Sequence, residues 1–502
     1  MRADFLTRFA EQYTSGLARL SEEGAVFTNA RWSYGITDTA PGHASLATGS
    51  FPSRHGIVGN SWWDRKAARQ EYSVEDLGSA ILGHPNDPGR SPVNLRRGTL
   101  GDWLKLASPA SKVFSVGLKD RAAILMGGRH PDGAFWYQST YGQFVTSAYY
   151  MAAYPDWVDA FNREGRADAY RDREWTKLLP DEAYGLSRRD RFPSEADGVR
   201  TIFPHRPDEL VTPENPYYKA LAATPFADEM TFDFARELVV RHELGLDDAP
   251  DLLWIGAAAA DYIGHTYGPY SREVQDHFLR LDRMLGGFFA FLDERVGPER
   301  YFVALTSDHG VLPMPEELVR RGVAASRIDW AEPRRAIQPG VRRVRAELGD
   351  IAIVPMRIGL ALNTLGAPTE EQMRELRSNL ANDLLETDFV EDVFTYEELL
   401  AGSSERPFFD AYLKSFHRER TPDITVRYKE NILRSAGPFS TDHGSPYPYD
   451  ADVPLVFLGR AAVAGRYDSP VDPVALAPTL ALLLGLDTPD DLDAGPLAAA
   501  IR

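Results

Sequence analysis

The chain's 502 residues exceed one minimal domain, and 43% hydrophobic with 25% charged residues is an ordinary globular composition that allows a large core with insertions. Lysine and arginine number 55 against 73 aspartates and glutamates, a net charge of -18 with no basic tract. That argues against a nucleic-acid partner and obliges any site for a small anion to supply its own positive charge. Cysteine is absent, which excludes disulfides, thiolate zinc sites and a cysteine nucleophile, and no run of about 18 apolar residues offers a membrane span.

Taken in order, Asp4 to Glu23 carries Phe5, Leu6, Phe9, Tyr13, Leu17 and Leu20 at helical spacing, which predicts a helix packed on a larger body. The chain opens Met1-Arg2-Ala3-Asp4 within that helix, with no signal peptide ahead of it. Gly24 ends the helix, and Ala25 to Thr28 reads as a short strand. In a doubly wound fold so amphipathic a helix follows a strand, and here none precedes it. The stretch from Thr37 to Asp64 comes next, with Pro41 and Gly42 punctuating it and Ala44 to Thr48 able to continue as a helix. Thr99 to Ala107 reads as a helix and Lys112 to Leu118 as a buried strand, followed at once by Lys119-Asp120-Arg121.

Residues 155–225 are rich in Trp, Tyr, Pro and charge with weak periodicity, and read as an insertion or cap. Ala227 to Leu244 is a predicted helix, Asp251 to Ala260 a buried strand ending at Asp261, and Ser271 to Val296 a long helix. Tyr301 to Thr306 is another buried strand, ending at Ser307-Asp308-His309-Gly310. Residues 313–438 read as a second insertion with its own strand, Ile351 to Ile358, and helix, Glu370 to Leu385. The core resumes at Ser440-Thr441-Asp442-His443-Gly444, with strand Val453 to Leu458 and a closing helix from Pro473 to Leu484. Strands alternating with helices, with polar residues at the strand ends, predict a single α/β sandwich with a mostly parallel central sheet and its site along that edge.

Thr39 falls where a loop hands over to a helix N-terminus, a place whose free N–H groups and positive dipole end suit a phosphate oxygen. A hydroxyl held there becomes a nucleophile when a bound cation lowers its pKa, and otherwise is simply a helix cap. Asp261 and His265 are four apart, so one helical turn or tight loop aims both at one point. Asp308 and His309 are adjacent after an apolar strand, and His443 lies in a Gly-bounded loop. Carboxylate and imidazole are zinc ligands, and three such clusters at strand ends are more than hydrogen-bonded turns need. His43 and His55 read as loop-structuring residues, Asp38 and Asp442 as turn residues accepting backbone N–H groups, and Trp62 and Trp63 as packing.

The ordered motifs, from Thr39-Ala40-Pro41-Gly42-His43 through Gly59-Asn60, Leu118-Lys119-Asp120-Arg121, Asp261 to His265 and Ser307-Asp308-His309-Gly310 to His443-Gly444-Ser445-Pro446-Tyr447, resemble the alkaline phosphatase superfamily over nearly the whole chain. They are most similar to its phosphate-irrepressible branch, the periplasmic zinc phosphomonoesterases with a threonine nucleophile. The resemblance implies Thr39 as the residue phosphorylated, Asp261, His265 and His443 as ligands of one zinc, and Asp308, His309 and Thr39 as ligands of a second. It also implies Asn60, Lys119 and Arg121 as holders of the non-transferred phosphate oxygens. Two zinc ions ~4 Å apart suit the in-line geometry of phosphoryl transfer. Lys119 and Arg121 are read as alternating in an extended segment so that both face a monoester dianion.

The pattern breaks in one place. The resembling branch has a further aspartate on a first strand ahead of the opening helix, and neither that strand nor a leader lies ahead of Met1. The expectation is therefore a start at an internal methionine, a sheet short of one strand and a weakened second zinc site, in a periplasmic or secreted monomer acting on small phosphate esters. The alternatives are a nucleotide pyrophosphatase/phosphodiesterase, which Lys119 and Arg121 oppose, and a catalytically impaired homologue that binds phosphate without turnover.

Overall fold

Short apolar runs bounded by turn residues form the strands, and their C-terminal ends carry the polar clusters. The computed structural model describes residues 1–213, 215–348, 351–357, 359–364, 368–435, 437 and 440–502. In the first half of the chain lie β1 (Ala25–Phe27), β2 (Val113–Gly117), β3 (Gly133–Gln138), β4 (Gln143–Val145) and β5 (Leu252–Gly256). They are followed by β6 (Phe302–Thr306), β7 (Ile351–Met356), β8 (Gly359–Thr364), β9 (Val390–Thr395), β10 (Ile424–Tyr428), β11 (Leu455–Gly459) and β12 (Gly465–Tyr467).

One sheet has the order β4-β3-β2-β5, with β2 parallel to both neighbours and Gly117 opposite Trp136 on one side and Gly256 on the other. A second has the order β12-β1-β11-β6 and is antiparallel at β1-β11 and β11-β6. Within these two sheets the parallel pairing among the described residues lies in β3-β2-β5 and in the β1-β12 pair.

β5 and β6 are the facing margins of these two sheets. Leu253 and Ile255 pack on the same apolar cluster as Val303 and Leu305, while Leu252 and Trp254 share the other cluster with Phe302 and Ala304. Alternate side chains of both strands therefore face the same two core layers, as in one continuous sheet. All eight remain only half-buried, and among the described residues no strand pairs with the outer edge of either.

The opening helix is broken rather than continuous. Phe5–Arg8 is followed by a 3₁₀ turn at Ala10–Gln12 and then by α1 (Gly16–Glu23). The buried Asp282 carboxylate accepts the N–H groups of Thr14 (2.9 Å) and Leu17 (2.8 Å), satisfying the freed donors at the start of α1. A Cβ on Gly16 would sit 2.4 Å from Leu285 Cβ, so glycine there sets the close approach to the Arg272–Arg295 helix.

Segment 155–225 contributes short helices at Asp156–Arg163 and Tyr217–Leu221 and several 3₁₀ turns. Within 313–438 an antiparallel sheet, β7-β8-β10-β9, packs against the Glu370–Leu385 helix, whose N-terminus carries a Thr369/Gln372 capping box. The predicted strand Ile351 to Ile358 is observed as far as Met356, and Ile358, like Pro438 at the end of the expected insertion, lies outside the described residues. No helix among the described residues is long and apolar enough to cross a membrane.

Candidate active site

α2 (Thr39–Thr48) starts at Thr39, with Asp38 as an extended N-cap whose side chain does not cap. The Asp38 carboxylate accepts instead from the Asn60 backbone N–H (3.0 Å) and from Asn60 Nδ2 (2.8 Å). Asn60 Oδ1 in turn accepts from Ala40 N (2.9 Å), so Asn60 is tied to the peptide that follows Thr39. An amide nitrogen has two donors, and only one of those on Nδ2 goes to Asp38. Gly42 lets this helix approach the end of β6, since a Cβ there would lie 2.7 Å from Asp308 Cβ.

Thr39 is buried, and three groups converge on its Oγ1: Lys119 Nζ at 3.4 Å, Arg121 Nη2 at 3.5 Å and His309 Nε2 at 3.5 Å. Lys119 is the extended residue ahead of α3 (Asp120–Gly127), and Arg121 lies in the first turn of that helix. The expectation of an extended Lys-x-Arg segment is therefore corrected: helix α3 begins between the two cations, which reach Thr39 from a strand end and from a helical turn. Arg121 is held by Tyr72, whose hydroxyl accepts from Nη1 (3.3 Å) and donates to Asp120 (2.5 Å), and Arg90 clamps the same Asp120 carboxylate (2.7 Å).

Asp261 and His265 lie one turn apart on α4 (Ala259–Tyr267), which begins at Ala259 because the buried Asp228 carboxylate takes its N–H (3.1 Å). The predicted strand consequently stops at Gly256. Each histidine of the cluster turns its Nδ1 to a backbone carbonyl: His265 to Thr441 (2.7 Å), His443 to Thr37 (2.8 Å) and His309 to Gly310 (2.9 Å). That fixes Nδ1 as the protonated nitrogen and presents Nε2 to the site, the arrangement found around metal-ligating histidines.

His265 Nε2 is 3.4 Å and His443 Nε2 3.7 Å from Asp261 Oδ1, and one ligand atom from each of these three residues lies within 4.8 Å of the others. On the far side His309 Nε2 is 3.2 Å from Asp308 Oδ2, and its ring stacks on that of His443 with centroids 3.4 Å apart. Two imidazoles and a carboxylate fit a borderline cation such as zinc. The second set offers Asp308, His309 and the Thr39 hydroxyl. The Met1 ammonium borders it, donating to Ser307 Oγ (2.5 Å) and the His309 carbonyl (2.8 Å).

The electrostatics keep both carboxylates ionised and the His443 imidazole neutral. Burial alone would raise the Asp261 carboxyl, but Lys119, which ion-pairs with it, and His265 hold it well below the usual range. Asp308 is likewise held well below it, against burial, by His309 and His43. Burial lowers His443 far below its ordinary value, helped by His309 and Arg357, so its Nε2 lone pair is free. Burial would also lower His265, yet the Asp261 carboxylate raises it to about 9.

The remaining sequence candidates have structural partners. His55 accepts from Ile57 N (3.1 Å) and meets Ser45 Oγ (3.0 Å), which uses both ring nitrogens. His43 Nδ1 bonds the Thr39 carbonyl (2.9 Å) and is 3.4 Å from Asp308. Trp62 is core, under the Arg420 guanidinium, and Trp63 is half-buried. Sequence reasoning passed over Tyr72, Asp120 and Arg90, and also Arg357, whose guanidinium meets both Asp442 and Asp38. No local signal marks Arg357 among the chain's 55 basic residues.

A profile of the family described as type I phosphodiesterase / nucleotide pyrophosphatase matches residues 1–442. The alkaline phosphatase PafA of Elizabethkingia meningoseptica is 32% identical, with all of this chain and 92% of the relative aligned. The alkaline phosphatase PhoV of Synechococcus elongatus is 30% identical, covering 97% of this chain and 89% of the relative. The crystal structure of wild-type PafA superposes with a TM-score of 0.92 at 30% identity, over 100% of this chain and 97% of that one. The chain belongs to the type I phosphodiesterase / nucleotide pyrophosphatase family and is an enzyme of the alkaline phosphatase branch of that superfamily.

Proposed function

We propose that the chain is a zinc-dependent phosphomonoesterase acting through a covalent phosphothreonine at Thr39. The observation that carries this reading is the convergence of two cations, Lys119 and Arg121, on one buried threonine hydroxyl beside the Asp261–His265–His443 group. Thr39 Oγ attacks phosphorus, the ester oxygen leaves with the alcohol, and a water then attacks the phosphothreonine to release inorganic phosphate. Zinc, when held by Asp261, His265 and His443 and by Asp308, His309 and Thr39, supplies positive charge that acidifies hydroxyl and water and stabilises the leaving oxygen. Lys119 and Arg121 hold the equatorial oxygens, where the charge of the transition state is spread. The second Nδ2 donor of Asn60 serves the same oxygens.

A monoester dianion gains more from two such cations than a diester monoanion does, which favours monoesterase over the phosphodiesterase that the family description also covers. Segments 155–225 and 313–438 are proposed as insertions shaping the entrance, and the family resemblance leads us to propose a periplasmic or secreted enzyme acting as a monomer on a broad set of small phosphate esters. The test is the hydrolysis rate of an aryl phosphate monoester against the matching diester in zinc-supplemented, mildly alkaline buffer. A strong monoester preference is expected, and diester preference or no turnover would sink the proposal.

A further inference from the structure

Segment 313–438 sends a charged side chain into the site. Arg357, directly after β7, donates through Nη2 to Asp442 Oδ1 (2.5 Å) and to the His443 carbonyl (2.7 Å), and its Nε lies 3.4 Å from Asp38 Oδ1. Asp38 is 1% exposed and is the residue that grips Asn60 ahead of Thr39. One guanidinium thus lies between two carboxylates on the two loops that carry the nucleophile and a histidine of the metal group.

The contact is built from both sides. Arg434 donates to the carbonyls of Met356 and Arg357, pinning the backbone from which the side chain extends. Gly444 has φ +120°, and a Cβ on it would lie 3.1 Å from Arg357 Nε, so the glycine after His443 makes room for the guanidinium. Two neutral hydrogen bonds already join the same loops, His443 Nδ1 to the Thr37 carbonyl (2.8 Å) and Thr37 Oγ1 to the Ser445 carbonyl (2.8 Å). Neither compensates the negative charges of Asp38 and Asp442, which the guanidinium between them offsets.

We propose that Arg357 is a positioning residue that keeps the Asp38–Asn60 phosphate-holding turn and the His443 metal-holding loop in register, resting on the phosphomonoesterase reading above. It touches neither Thr39 nor the site-facing nitrogens. Its loss therefore weakens metal and phosphate together, and Lys, a point charge without the planar fork, restores only part.

The experiment compares Arg357→Gln and Arg357→Lys with wild type and with Arg377→Gln. Arg377 anchors the same sheet through Asp423 but has no contact with the site among the described residues. Zinc affinity is read by chelator competition, inhibition by inorganic phosphate on the zinc-loaded enzyme, and kcat and KM separately. For Arg357→Gln, zinc affinity is expected to fall about ten-fold or more. Phosphate inhibition weakens with it and KM rises, the Lys variant is intermediate, and Arg377→Gln changes melting temperature alone. Wild-type zinc and phosphate affinities in Arg357→Gln, or equal losses in Arg377→Gln, overturn the proposal. A wild type that binds zinc and phosphate without turnover defeats the phosphomonoesterase reading, while the affinity comparison still decides the role of Arg357.

Discussion

Thr39 Oγ1 has cationic or imidazole nitrogens on three sides at 3.4–3.5 Å, and no carboxylate oxygen is hydrogen-bonded to it among the described residues. The Lys119→Ala/Arg121→Ala double variant is therefore expected to lose about 100-fold or more in monoester kcat/KM, with a clearly smaller loss on the diester, measured with matched aryl esters. Thr39→Ala should abolish the phosphorylated peptide that an acid quench of wild type traps, which peptide mass spectrometry reads directly. A different residue contributes to the acid stability. Burial, with Arg420 nearby, pushes His55 down to about 3. As pH falls below the unfolded value near 6.5, the unfolded chain takes a proton that the folded protein refuses, so stability drops until about pH 3. By pH 4.5 the loss from this one group is about 2–3 kcal/mol. In His55→Gln the fall in melting temperature between pH 6.5 and 4.5 should shrink, and an unchanged slope would show that His55 titrates normally.

At the scale of elements, the site depends on how closely a helix start can approach a strand end. α2 abuts the end of β6 at Gly42, where an added Cβ would meet Asp308 Cβ and carbonyl oxygen, both at 2.7 Å. Gly42→Ala is expected to destabilise by about 1–3 kcal/mol and to separate Thr39 from His309, so activity should fall more steeply than stability. Calorimetry together with kcat decides this, and a variant with wild-type kcat would mean the helix can shift without cost. The same logic explains why the Lys119–Arg121 segment is not extended. A strand reading follows from the apolar run before it, but Ala122, Ala123, Ile124 and Leu125 continue as a buried helix, and Arg121 falls in its first turn. The convergence of the two cations on Thr39 survives that correction.

For the whole molecule, the margins of β5 and β6 are less covered than the interior strands β2 and β11. Their apolar residues are half-buried on both faces, although they belong to the two largest apolar clusters. Amide hydrogen exchange in β5 and β6 is accordingly expected to be faster than in the interior strands β2 and β11, and equal protection would show that the gap is closed in solution. Zinc held in the proposed site would tie α4, the end of β6 and the His443 loop together. Titrating zinc into metal-free protein should therefore raise the melting temperature in proportion to log concentration, with reversal by a chelator.

The sequence by itself determined the residue types and where they fall: acids and histidines after two of the buried runs and a lysine after a third, a threonine at a helix start, glycines where backbone comes close. These signals are local, since periodicity, turn chemistry and helix starts are written within a few residues. Family resemblance extended them to roles for Thr39, Asn60, Lys119, Arg121, Asp261, His265, Asp308, His309 and His443, and the fold brings all nine into one network of contacts. Only the tertiary structure decided which backbone carbonyl fixes each imidazole, that Asp38 and Asp442 serve a half-buried arginine as well as their turns, and that this arginine comes from 85 residues before Asp442. Such pairings depend on packing between segments far apart in the chain, and a lone arginine has no local pattern that announces its partner.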